Sequence, residues 1–164
     1  LFPKIGLQPP IVISHHMLLG LQFAETHTTG IERKIALKMS KSKPQTAIFM
    51  TDTSEEVLTK FKNAYCPEGV EQDNPVLEYA KYITFELFDE LAIERPTKFG
   101  GPLAVNSYEE LRNLFLTKKV HPLDLKIAVA HSINTALEPV RKHFIKNKKA
   151  HALLEKVHHL DITR

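Results

Sequence analysis

The sequence is short of several things, and each shortage narrows what it can be. One cysteine, Cys66, occurs in 164 residues, so no internal disulfide can form. That usage fits a reducing cytoplasm rather than a secreted scaffold. No sequence cue supplies a base to activate the thiol, and Cys66 reads as a buried structural residue. No apolar run approaches the length needed to cross a bilayer, so no membrane partner is expected. The opening LFPKIGLQPP is broken by prolines and lacks the charged-then-apolar layout of a signal peptide. No repeat or low-complexity tract interrupts the chain. Histidine is plentiful, but the pairs His15-His16 and His158-His159 have no Cys or Glu at ligand spacing nearby. No metal site is expected there.

What is present is ordinary in bulk. Hydrophobic content of 43% and charged content of 25% describe a globular chain long enough to bury a core, with room for one or two small domains. A formal charge of +3 is compatible with nucleic acid but also with simple solubility.

The patterning divides the chain. Ile11-Val12-Ile13, between a proline pair and Ser14-His15-His16, reads as a buried strand of a parallel sheet. The stretch from Gly20 to Lys43 reads mainly as loop. Thr53-Ser54-Glu55-Glu56 fits a capping box opening a helix that carries Val57, Leu58, Phe61, Ala64 and Tyr65. Asn74-Pro75 caps and starts a second helix with Val76, Leu77, Ala80, Ile83 and Leu87 on one face. Leu91 to Glu94 and Leu103 to Val105 flank Gly100-Gly101 and suit a small hairpin. Ser107 to Glu110 is a further capping box, and Pro122 starts a helix that Pro139 should kink or interrupt. Ala150, Leu153, Leu154, Val157 and Leu160 mark a last amphipathic helix. The expected fold is mainly α, with the strand-and-loop edge of a Rossmann-like α/β domain over residues 1–51 and a helical domain over 52–164.

The chemistry concentrates in Lys38-Met39-Ser40-Lys41-Ser42. Two ammonium groups and two hydroxyls on a short polar stretch suit a polyphosphate, because lysine is a compact mobile charge and serine lets the backbone approach phosphate oxygens. From composition alone the segment reads as a solvated basic loop. The five residues match the KMSKS signature, and the run from Lys38 to Thr51 resembles the tyrosyl and tryptophanyl branch of the class I aminoacyl-tRNA synthetases. AYCPEGVEQDNPVLEYAKY (Ala64 to Tyr82), ERPTKFGG (Glu94 to Gly101) and VHPLDLK (Val120 to Lys126) resemble the tyrosyl family of archaeal and eukaryotic type.

That resemblance implies a tyrosine-tRNA ligase, using ATP with Mg²⁺, tyrosine and tRNA(Tyr). Lys38 and Lys41 would be the catalytic pyrophosphate stabilisers, and Met39, Ser40 and Ser42 would complete the ATP-binding loop. Phe99, His121 and Asp124 would read the anticodon, Phe99 by stacking and Asp124 through two acceptor oxygens facing a guanine edge. Read without the resemblance, Phe99 is a core side chain and Asp124 a helix-dipole partner. The His-Ile-Gly-His signature and tyrosine pocket do not occur here. The chain therefore reads as the C-terminal part of a longer cytoplasmic homodimer, inactive alone. A tryptophanyl enzyme and a non-catalytic tRNA-binding module are the competing readings. Seven Lys/Arg from Arg141 to Arg164 read first as a solvated helix face, with phosphate contacts beside an anticodon site as the second reading.

Overall fold

The computed structural model describes residues 2–22, 30–40 and 43–160. Its regular elements are α1 (Gly30–Leu37), α2 (Ser54–Lys62), α3 (Pro75–Tyr79), a π turn (Ala80–Thr84), α4 (Phe85–Leu87), β1 (Leu91–Ile93), β2 (Leu103–Val105), α5 (Tyr108–Leu116), α6 (Pro122–Lys146) and α7 (Lys148–His158). The fold is mainly helical with one two-stranded sheet.

The helix starts follow the capping chemistry. Thr53 Oγ1 accepts the Glu56 N–H at 3.2 Å while Glu56 Oε2 takes the Thr53 N–H at 2.7 Å, closing the capping box of α2. Asn74 Oδ1 accepts from Val76 and Leu77, with Pro75 at the first helical position of α3. At α5, Ser107 Oγ accepts the Glu110 N–H, but Glu110 reaches back to the N–H of Asn106 rather than Ser107. The hairpin forms in antiparallel register, pairing Leu91 with Val105, Ala92 with Ala104 and Ile93 with Leu103. Alternation turns Leu91, Ile93 and Val105 into the core and leaves Ala92 and Ala104 outside.

One core holds these elements together. Val57 and Phe61 of α2, Val76 and Leu77 of α3, Leu111 and Phe115 of α5 and Leu125, Val129 and Ile133 of α6 are all buried in it. Phe61 meets Tyr79 edge to face, with centroids 5.3 Å apart. Leu21, from far upstream, is fully buried in the same cluster, and its carbonyl accepts the Tyr65 N–H at 2.7 Å. Cys66 lies at the edge of this core, and burial pushes its thiol up to about 11 despite the Asn74 amide nearby. Burial likewise raises Tyr79, whose ring belongs to the core.

Three expectations need correction. Ile11, Val12 and Ile13 belong to no strand and are 93%, 79% and 86% exposed. A parallel strand is held by neighbours on its edges, and none of the described residues provides one. The stretch after Gly20 is not simply loop, because Gly30–Leu37 is helical. Arg33 anchors that helix by donating Nε and Nη2 to Asp73 at 3.0 and 2.8 Å, across 40 positions. Pro139 does not interrupt α6, which runs through it for 25 residues. Proline removes the N–H that Thr135 O would accept, but both residues face solvent, and Arg141 Nη1 donates to Asn134 O at 3.2 Å across the same stretch. The last amphipathic helix exists as α7, although its Leu153 and Val157 remain 53% and 61% exposed.

Candidate functional site

The residues around the Lys/Ser motif are fixed by backbone and hydroxyl bonds. Lys38 bridges Leu19 in antiparallel fashion, and the Gly20 N–H donates to Leu37 O at 2.7 Å. A Cβ at Gly20 would sit 3.2 Å from both Leu37 O and Thr46 Cβ, so this close approach calls for glycine. Lys38 is exposed, whereas Met39 is half-buried and packs against the core. The Ser40 N–H donates to Thr46 Oγ1 at 3.1 Å, and the Thr46 hydroxyl donates to Lys43 O at 2.8 Å. Ser40 and Lys43 are bridged, with Lys43 N–H to Ser40 O at 3.0 Å. Lys41 and Ser42 lie outside the described residues.

Downstream, a nearly dry ion pair braces the same segment. Lys60 Nζ lies 2.6 Å from Asp52 Oδ2 with the two side chains 8% and 9% exposed, and it also donates to Ala47 O at 3.0 Å. Asp52 Oδ2 accepts the Phe49 N–H at 2.9 Å, and Lys60 stands 4.8 Å over the Phe49 ring. Burial of two charges is tolerated here because each has several partners. Arg141 of α6 closes the set, donating Nε to Asp52 O at 2.8 Å and Nη1 to Ser54 Oγ at 3.1 Å. None of Thr46, Asp52, Lys60 or Arg141 was legible as part of a site.

The aromatic, the histidine and the acid sit at the far end of α6. Phe99 ends the 3₁₀ turn Thr97–Phe99 and is 61% exposed, with Lys98 Nζ 4.9 Å from its centroid. Phe99 is therefore not a core side chain. Gly100 follows at φ +99°, a left-handed conformation that glycine adopts without strain. His121 is the N-cap of α6, its Nδ1 accepting the Leu123 N–H at 3.2 Å, and Asp124 lies half-buried in the first turn. With Nδ1 taken up as the acceptor of this cap, Nε2 is the ring nitrogen left over. Arg95 brings the two loops together. It donates Nε to Gly101 O at 2.6 Å and Nη1 to Lys119 O at 2.8 Å, so one guanidinium spans the Phe99 turn and the approach to His121.

A second aromatic cluster closes the side of the domain. Glu71 accepts from Tyr108 Oη at 2.9 Å and from Arg112 Nε at 2.6 Å. Burial works against its charge, but the hydrogen bonds from Arg112 and Tyr108 outweigh it and hold Glu71 below its usual range. Burial, then the Glu71 carboxylate, pushes Tyr108 up. Among the described residues no group of three or more His, Cys, Asp or Glu is placed to hold a metal ion. No helix among them is long and apolar enough to cross a membrane.

Phe99 is exposed beside the start of α6, and the segment that follows the lysine-serine motif is held by Lys60 of α2 and Arg141 of α6. Residues 28–138 match the model for class I tRNA synthetases (W and Y), and the chain belongs to that family. Within it the likeness is to the tyrosyl branch. A tyrosine–tRNA ligase of Sulfolobus acidocaldarius is 49% identical over 144 residues, covering 85% of this chain and 40% of that protein. The cytoplasmic tyrosine–tRNA ligase 2 of Arabidopsis thaliana is 41% identical over 155 residues, covering 94% and 19%. The tyrosyl-tRNA synthetase of Pyrococcus horikoshii, solved with L-tyrosine, superposes with a TM-score of 0.76 at 41% identity, covering 87% of this chain and 40% of that one. The chain thus spans less than half the length of these relatives.

Proposed function

We propose that this chain is the KMSKS-loop and anticodon-binding portion of a tyrosine-tRNA ligase, with the loop-bearing end of the catalytic domain in residues 1–51 and the anticodon-binding domain in 52–164. The reading implies a cytoplasmic homodimer whose remaining half carries the tyrosine pocket. The tyrosine carboxylate attacks the α-phosphorus of ATP. A new oxygen–phosphorus bond forms as the bond to the bridging oxygen breaks, and pyrophosphate leaves with that electron pair. Lys38 and Lys41 neutralise charge growing on the departing oxygens, and Ser40 and Ser42 offer donors to the same group. Met39 anchors the loop to the core. The activated tyrosine is then transferred to tRNA(Tyr), held by Phe99 stacking on an unstacked anticodon base, with Asp124 and His121 on its polar edge.

The observation that carries this reading is the exposed Phe99 beside the capped start of α6, joined by Arg95. A core phenylalanine and a simple dipole partner would not require a guanidinium to hold their loops together. The tryptophanyl alternative is weaker, since the named relatives are tyrosine enzymes. In the complete protein, Lys41→Ala should lower ATP–pyrophosphate exchange about a hundredfold or more, the scale of one lost transition-state donor. tRNA affinity should stay within twofold. Unchanged exchange would remove Lys41 from the mechanism. The chain alone, without the other half, should show no exchange.

A further inference from the structure

Asn147 is the single residue between α6 and α7, and it serves both helices. Its N–H donates to His143 O at 2.9 Å, and its Oδ1 accepts from Lys149 and Ala150 at 3.1 and 3.0 Å. The elbow so fixed encloses an open cleft of about 630 Å³, lined by Lys142, His143, Lys146, Lys148 and Lys149 together with Pro139 and Asn147. No carboxylate lines it. Lys142 pairs with Glu138 at 3.5 Å, but Lys146, Lys148 and Lys149 have no ion-pair partner among the described residues. With four lysines and no carboxylate in its lining, the cleft is locally positive.

Local physics opposes this arrangement. Lys148 and Lys149 open α7, where the helix dipole is positive, and no acidic residue occupies that first turn. A helix built for its own stability would carry carboxylates there. Ammonium groups are compact point charges without a planar fork, so they suit a run of phosphates better than one bidentate carboxylate. The one ring in the lining is the His143 imidazole, and no Phe, Tyr or Trp offers bases a broad stacking platform. The cleft also lies at the opposite end of α6 from His121 and Asp124, about 37 Å away for 25 residues at a rise of 1.5 Å.

We propose that the α6–α7 elbow binds backbone phosphates of an RNA whose bases are read at the other end of α6. The proposal rests on the tRNA-binding reading above and adds a second, sequence-independent contact to it. The test is tRNA binding by the complete protein over a salt series, for the native chain, for K146A/K148A/K149A and for K146R/K148R/K149R. These side chains are exposed and carry no structural bond, so both variants should fold. The alanine variant should bind more weakly and show a log K against log salt slope shallower by about two to three. The arginine variant should keep the native slope. The preference for tRNA(Tyr) over a tRNA with another anticodon should be the same in all three. An unchanged slope in the alanine variant overturns the proposal. So does loss of binding to phosphatidylserine vesicles with the tRNA slope untouched, which would assign the cleft to a membrane. If the native protein shows no preference for tRNA(Tyr), the ligase reading fails separately, and the slopes still decide the elbow.

Discussion

Arg95 shows how much a single side chain can carry in a site whose recognition groups sit on loops. Its two short bonds, to Gly101 O and Lys119 O, hold the Phe99 turn against the entrance to α6. Only the planar guanidinium reaches both carbonyls at once, so lysine is no substitute. Arg95→Ala should raise the KM for tRNA about tenfold, which corresponds to about 1.4 kcal/mol. Tyrosine activation should be unaffected, and Arg95→Lys should recover little. Equal kinetics for both tRNA steps would show that the loops hold their places without it. Glu94 to Gly101 stood out in the sequence through its resemblance to the tyrosyl family, but the bonds of Arg95 did not, since one of its partners lies 24 positions away.

At the scale of elements, α2 and α6 together grip the segment that follows the lysine-serine motif. Ser40 bonds Thr46, Lys60 holds Ala47 and Asp52, and Arg141 reaches the Asp52 carbonyl from α6. The chain of bonds therefore runs from the loop to the helix whose other end bears His121 and Asp124. Lys60→Met should destabilise the fold by about 3 kcal/mol, because it strands the Asp52 carboxylate in a dry site. Denaturant unfolding checks this, and a loss below about 1 kcal/mol would mean that water reaches Asp52. The capping boxes, the Asn74-Pro75 start and the hairpin were readable because their signals are local. The helix at Gly30–Leu37 was not, since an anchor across 40 positions leaves no periodic trace. Ile11 to Ile13 misled for the converse reason. Its β-branched run is a true strand signal, but a strand is a property of its neighbours as well.

For the molecule as a whole, the proposed reading sets three functions on one scaffold: phosphate handling at the motif, base recognition at the start of α6, and phosphate contact at the basic elbow. Leu21 and Met39 share a core with the helices, so the motif segment and the recognition end are mechanically continuous rather than loosely linked. Bulk charge gave no hint of this layout, because +3 spread over 164 residues is unremarkable until the lysines are located. The central claim is that Asp124 belongs to recognition and not to chemistry or folding. Its most direct test compares native and Asp124→Ala complete protein in two assays, ATP–pyrophosphate exchange and charging of tRNA(Tyr) with its native or an altered first anticodon base. The account predicts unchanged exchange, charging lowered about tenfold or more, as expected for about 1–3 kcal/mol per base contact, and lost discrimination between the two tRNAs. Equal loss in both assays, or discrimination that survives the substitution, would contradict it.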